Sequence, residues 1–485
     1  MSSYSNLSKR SIVPLHSSVQ QIQRCRAPQN PGIPQLPDLS DIQGDIFYVF
    51  PKVAEQFMFF SIKDVSAFKK NLGSFTPTSS INVSEILEKI NQAKETARNN
   101  RTPLCQVDTS LSQIAFSRAG LNFLGVKELT KDTNFDKGPM KLDRQSLGDN
   151  ASWEKVFEDG SSHGVFTIAA NSTLNCQKKA LEIENAFKSS IIILHRENGQ
   201  VLPNHVEHFG FRDGISQPAI KGLAAPHPGQ TVVDPGIIIM GCTGDPIAGR
   251  PAWTKYGSMM VFRKLAQDVP GFNNYLASHS EDWRKILPQA NLTTPAEGSA
   301  WFGARCFGRW KSGAPIQLAP YRDDPALGED NERNNNFDYT VPRLSEPNEY
   351  FCPFNAHIRK TAPRNLLNYR PNKQELADSS IVRAGIPYGP QLTPTCPQNA
   401  ERGLLFVCYQ SSIKGGFLLQ TQWALDSSFP VVGTSIKDHG QDPILGVAPA
   451  APGFKPQSFV TSKGGEYFFV PAISTIKKWA SATGC

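Results

Sequence analysis

The sequence predicts an α+β protein in which antiparallel strands form a sheet and helices gather on one face. Two observations predict it. The first stretch of chain reads strand, helix, helix, strand, strand, helix, strand, without the regular alternation of a doubly wound parallel sheet. The second half repeats the theme loosely, and no repeat is visible at sequence level. Residues 56–62 (Gln-Phe-Met-Phe-Phe-Ser-Ile) are a short apolar run and read as a buried strand. Asp64 then caps a short helix that Gly73 stops. Ser84 opens a helix over 84–99, where Ile86, Leu87, Ile90 and Ala93 keep helical spacing. Strands follow at 110–117 and 164–171, the latter with Val165, Thr167 and Ala169 alternating against Phe166, Ile168 and Ala170. Helices are predicted at 118–124 and 176–189, before another apolar run at 191–194. In the second half, strands are predicted at 236–241, 258–263, 381–385, 404–410 and 417–423, with helices at 269–276 and 281–287. Connections at 222–235, 320–350 and 386–400 are longer than ordinary loops and read as functional walls or surface excursions.

The chain has 485 residues, 39% hydrophobic and 19% charged, which suits a sizeable core and excludes collagen, coiled coil and wholesale disorder. Fifty Lys plus Arg against 43 Asp plus Glu leave +7, scattered along the chain, so no basic tract points to nucleic acid. No window approaches the ~18 apolar residues of a membrane-spanning helix. Residues 1–31 lack the apolar stretch of a secretory leader, so the chain reads as leaderless or already processed, and its compartment stays open. Pro28, Pro31, Pro34 and Pro37 make 1–40 an extended segment, with order beginning near Asp41. The nine cysteines (25, 105, 176, 242, 306, 352, 396, 408 and 485) form neither a Cys-x-x-Cys pair nor a dense disulfide framework, and Cys408 reads as a small buried hydrophobe. Six glycosylation sequons, at Asn6, Asn82, Asn100, Asn150, Asn171 and Asn291, are a faint hint of secretion.

The phosphate loop, the nucleophile elbow and the two-histidine zinc helix are all absent, which removes kinase and common hydrolase readings. His205 and His208 are three apart, but Pro203 and Asn204 place them in a loop, as a solvent-exposed pair. Two segments carry chemistry. Residues 209–218 (Phe-Gly-Phe-Arg-Asp-Gly-Ile-Ser-Gln-Pro) set Asp213 between glycines, where backbone can approach a ligand closely; the alternative is a plain turn carboxylate. In 351–364, His357 is followed by Arg359, Lys360 and Arg364, so an imidazole metal ligand could sit beside guanidiniums that hold anionic groups of the same ligand. The alternative there is a basic surface turn.

Together these segments resemble the dye-decolorizing peroxidases, a haem enzyme family, in its fungal form. The family's G-x-x-D-G motif is present as Gly210-Phe211-Arg212-Asp213-Gly214, and its haem-ligand stretch as Asn355-Ala356-His357-Ile358-Arg359-Lys360. Further matches occur in family order between residues 41 and 471: Asp41-Ile42-Gln43-Gly44-Asp45, Gly303-Ala304-Arg305, Gly308-Arg309-Trp310, residues 382–389, residues 402–406 and Asp442-Pro443-Ile444-Leu445-Gly446. The first 40 residues and the tail after 471 match nothing. The resemblance implies two ferredoxin-like halves, 41–205 and 206–485, with antiparallel sheets and peripheral helices enclosing one haem b. It favours an extracellular location.

Roles follow from the same resemblance. Asp213 is the distal acid-base group that moves a proton between the oxygens of hydrogen peroxide, and Arg383 stabilises the charge on the departing oxygen and keeps Asp213 ionised. An Asp stays a base in acid where a His would be protonated, which implies an acidic optimum. His357 is the iron ligand, with Asp442 as its carboxylate partner or, alternatively, a turn residue before Pro443. Arg359, Arg364 and Arg383 are expected at the haem propionates, and Leu404 and Phe406 at the distal pocket or in the core. Dyes and phenols are the implied reductants, the bulky ones oxidised at a surface aromatic, Tyr388 or Trp423. The rival readings are a haem-binding or haem-delivery protein of the same fold, and a haem-free α+β interaction protein.

Overall fold

The computed structural model describes residues 37–103, 106–340, 348–364, 375–430, 438–445 and 458–481. Cys25, Cys105, Cys485, Asn6, Gly446 and the prolines before Pro37 lie outside these residues. In chain order the strands are β1 (Ala54–Ile62), β2 (Ser110–Phe116), β3 (Gly164–Ala170), β4 (Ile191–Gln200), β5 (Ala219–Ile220), β6 (Val232–Val233), β7 (Ser258–Gln267), β8 (Val382–Arg383), β9 (Ile386–Tyr388), β10 (Gly403–Gln410) and β11 (Val460–Val470). Among the described residues, nine of them make one sheet in the order β4-β1-β3-β2-β11-β7-β10-β8, with β9 also on β10; β5 and β6 pair separately.

The order contains the same arrangement twice. Numbered within each half, β4-β1-β3-β2 and β11-β7-β10-β8 both read fourth, first, third, second, the ferredoxin-like order, with antiparallel pairing throughout. The halves join edge to edge where Phe116 of β2 faces Phe469 of β11. At the far edges β4 approaches β9 without joining it. A Cβ on Gly199 would stand 2.3 Å from Ile386 Cγ2, so that approach requires glycine.

Alternation along β1 divides the core. Phe57 and Phe59 face the second half, each 5.0 Å from the Phe262 ring, whereas Phe60 meets Phe68 of helix Val65–Ser74. Phe68 in turn packs on Phe187 of helix Thr173–Phe187. All six rings are buried, each contributing roughly 2–3 kcal/mol by leaving water. A second core, with Phe209, Phe211, Phe272 and Trp301, lies around helices Val269–Ser278 and Pro295–Phe307. The last described helix, Ile473–Ser481, returns to the first half against Val65–Ser74. Asp41 holds its start: Ile473 N–H donates to the Asp41 carbonyl (2.8 Å) and Ser474 N–H to its carboxylate (2.6 Å). Beside it, Gln43 Nε2 donates to the carbonyls of Pro471 and Ile114.

Several expectations need correction. Residues 236–240 are buried and Gly241 is exposed, and Pro235 starts a tight helical turn there instead of a strand. Residues 417–423 are helical, Lys414–Leu418 leading into Leu419–Leu425. Residues 381–385 supply only the two-residue β8. The helix expected from 84 begins at Ser80, capped by Ser79 and Asn82 acting reciprocally. The longest strand, β11, was not expected, and neither was helix Ile473–Ser481. The two histidines are not a solvent-exposed pair: His208 is buried with Nε2 on the Tyr388 carbonyl (2.8 Å), and His205 is half-buried at the end of the 3-10 turn Pro203–His205. The six described cysteines are free thiols. No helix among the described residues is long and apolar enough to cross a membrane.

Candidate active site

The loop after β4 is folded around Glu207, whose carboxylate accepts the N–H groups of Phe209 and Phe211 (2.9 Å each) and Gln267 Nε2 (2.5 Å). Phe209 and Phe211 are buried in the second core, so Asp213 is delivered from a fixed base. Opposite it stands Arg383 on β8. The Gln217 amide clamps Arg383's backbone, accepting its N–H (3.0 Å) and donating to its carbonyl (2.6 Å). Arg383 Nη1 donates to Asp213 Oδ1 at 2.5 Å, and Gly214 N–H donates to the same oxygen at 2.6 Å. Burial alone would raise the Asp213 carboxyl, but the charge and hydrogen bond of Arg383, with the Gly214 N–H, outweigh it and hold its pKa below the ordinary value.

His357 opens the short helix His357–Thr361. Its Nδ1 is 2.6 Å from Asp442 Oδ2, while Asp442 Oδ1 accepts the Ile444 N–H (2.8 Å). Asp442 is therefore both the partner of the imidazole and a turn residue. Burial would lower the His357 pKa, yet the Asp442 charge and hydrogen bond raise it. Among the described residues nothing holds Nε2.

Asp213, Arg383 and His357 line one cavity of about 470 Å³. Leu404, Phe406, Arg309 and Arg364 line it too, and so do residues 147–151 from the first half. Arg364 donates to the carbonyls of Gly229, Asn335 and Phe337. Arg309 donates to Asn335 Oδ1 (2.7 Å), which Arg364 also reaches (3.2 Å). Burial, reinforced by Arg364, pushes the Arg309 guanidinium down to about 9. Neither arginine meets a carboxylate among the described residues, and Arg364 Nε has no partner there. One buried and one half-buried cation, neither with a carboxylate partner among the described residues, beside an imidazole Nε2 that nothing described holds, fit a metalloporphyrin that brings its own carboxylates.

The other expected site residues fall elsewhere. Arg359 does not line the cavity: it is fully buried, bonds the carbonyls of Asn348 and Cys352, and stacks on Phe354 (4.2 Å) and Tyr339 (4.5 Å). Two positions after His357 on a helix, it is turned about 200° from the ligand. Tyr388 and Trp423 are not surface aromatics, being 6% and 4% exposed. Trp423 stacks flat on Phe429, with centroids 5.0 Å apart. Arg309, Asn335, Gln217 and Glu207 were not singled out from sequence. Of these, Arg309 lay in the Gly308-Arg309-Trp310 match and Gln217 in the 209–218 segment, while Glu207 and Asn335 carried no signal.

Residues 41–203 match the family model for the DyP dimeric alpha+beta barrel domain. A dye-decolorizing peroxidase of Mycetinis scorodonius is 38% identical over 483 residues, covering 91% of this chain and 87% of the relative. Among solved structures, an ancestral D-type dye-decolorizing peroxidase superposes with a TM-score of 0.83 at 39% identity, covering 93% of this chain and 100% of the other. A dye-decolorizing peroxidase in complex with 2,6-dimethoxyphenol gives a TM-score of 0.79 at 37% identity, covering 92% and 100%.

Proposed function

Since the chain belongs to the fungal dye-decolorizing peroxidases and is a peroxidase, we propose that the cavity holds one haem b between His357 and the Asp213–Arg383 pair, with hydrogen peroxide as oxidant and phenols and dyes as reductants. His357 Nε2 would ligate the iron, with Asp442 fixing the ring's orientation and basicity through Nδ1. Arg309 and Arg364 would bind the propionates. The haem supplies, when bound, the redox chemistry that splits peroxide. Asp213 takes the proton from the near oxygen of peroxide and returns it to the far one, so that water departs. The guanidinium of Arg383 faces that departing oxygen and stabilises its negative charge. The low pKa of Asp213 keeps it a base in acid. Tyr388 passes electrons from reductants too large for the cavity. In this reading the chain divides into halves at 41–205 and 206–485.

One observation carries the proposal: a carboxylate-backed imidazole and a carboxylate–guanidinium pair line the same cavity. The same pair argues against a haem-delivery protein, which has no use for it. The test is an absorption spectrum before and after one equivalent of peroxide. His357→Ala should lose the cofactor, whereas Asp213→Asn should keep it and lose the peroxide response. Unaltered spectra in both variants would overturn the assignment.

A further inference from the structure

Arg263 and Leu265 line the cavity, so Lys264 between them points to the other face of β7. Its ammonium lies 2.7 Å from Glu154, 2.9 Å from Glu197 and 3.6 Å from Glu401. His195 Nε2 is 2.6 Å from Glu197 and 3.7 Å from Glu154. Glu154, His195 and Glu197 present ligand atoms close enough together to hold a metal ion, but the Lys264 ammonium already bridges two of the three. The cation of this cluster is a side chain.

Tyr388 completes the group. Lys264 Nζ stands 5.2 Å from its ring centroid, and its phenol donates to Glu401 Oε1 at 3.3 Å. The ring is buried, whereas the Glu401 side chain is 53% exposed. One sheet separates Tyr388 from the cavity: Gly403 faces it across β9 and β10, and the next residue, Leu404, lines the cavity. A phenol that loses an electron becomes a strong acid, so an enclosed tyrosine works as a relay only where its proton has a place to go. Glu154 and Glu197 are tied to Lys264 and His195 at 2.6–2.9 Å. Glu401 is held more loosely, touches the phenol and reaches water.

We propose that Glu401 is the proton acceptor for oxidation of Tyr388. The electron goes to the peroxide-oxidised centre, the phenol O–H bond breaks, the proton passes to the Glu401 carboxylate, and a neutral phenoxyl radical remains. An external phenol then returns one electron, and Glu401 returns the proton. The inference rests on Tyr388 as relay and adds where its proton goes.

The test is rapid-freeze electron paramagnetic resonance of the haem-loaded protein after one equivalent of peroxide, timed from the end of the initial absorption change. Wild type should give a tyrosyl signal that Tyr388→Phe removes. Glu401→Gln, which keeps an acceptor oxygen but takes no proton, should form the signal about 10²-fold more slowly, and Glu401→Asp should recover much of the rate. In wild type the signal should grow more slowly in deuterium oxide than in water, a readout independent of any variant's folding. Wild-type kinetics in Glu401→Gln, or no solvent isotope effect, overturns the proton acceptor and leaves the relay standing. A full tyrosyl signal in Tyr388→Phe overturns the relay, and this inference with it.

Discussion

Replacing Arg383 with Gln tests the division of labour in the cavity. The substitution removes one side-chain charge and leaves the strand intact, because Gln217 clamps the backbone of residue 383 and Cys408 pairs with it across β10. The lost contact is the 2.5 Å hydrogen bond to Asp213. At an effective dielectric of about 20 such a pair is worth a few kcal/mol. Asp213 is 41% exposed to the cavity, so solvent screening reduces this to ~1–2 kcal/mol. Without that charge the Asp213 pKa should rise toward the ordinary carboxylate range. The sign follows from its role. Asp213 acts as a base only when ionised, and Arg383 keeps it ionised at lower pH, so without Arg383 the acid limb of the pH profile moves upward. In the proposed role Arg383 also stabilises the departing oxygen, and loss of one such donor costs about 10²–10³ in rate. Stopped-flow kinetics of the peroxide reaction across the acid range measures both effects. A rate within about threefold of wild type, with an unmoved acid limb, would refute the assignment of Arg383.

Asp442→Asn should weaken haem retention or activity by about 10–100-fold, read by titration of the cofactor-free protein with haem; unchanged affinity and turnover would remove Asp442 from the ligand's support. Glu55, Glu207 and Glu466 are each pushed up to about 7 by burial. The folded state therefore binds protons that the unfolded chain has already released, and these groups should lower stability as pH rises from about 4.5 to 7, by on the order of 3 kcal/mol each at most. Denaturant midpoints that rise over that interval would contradict this. Gly229→Ala places a Cβ 1.8 Å from the Asn335 carbonyl at a φ of +75°. It should cost at least about 1–2 kcal/mol and loosen haem, since Arg364 is anchored on both carbonyls. Full haem content with an unshifted melting temperature would show that this loop does not support the arginines.

Much of the site was legible because its parts have local signals. Asp213 sits in a Gly-flanked motif and His357 heads a basic stretch, and Asp64 caps its helix as expected. What failed had physical reasons. Residues 236–241 are a short apolar run, and 417–423 a short segment of apolar residues around Gln420, Thr421 and Gln422; both are too short to distinguish strand from helix. The alternation of β11 is interrupted by Ser462-Lys463-Gly464-Gly465, where the pairing with β7 slips at a bulge. Arg309 and Asn335 matter through contacts with backbone and with each other across long separations, which no spacing rule announces. Arg359 was drawn toward the ligand by its nearness in sequence, but the helix turns it away.

Asp41 capping the helix that begins at Ile473 also has a consequence for biosynthesis. When the first four strands leave the ribosome, the edge of β2 is bare and its eventual neighbour has not been translated. At about 5–20 residues per second the nascent chain waits tens of seconds for β11 and the closing helix. During that interval an open edge invites pairing with other chains. A polypeptide released near residue 205 should therefore aggregate or bind chaperones, however well its own four strands are ordered.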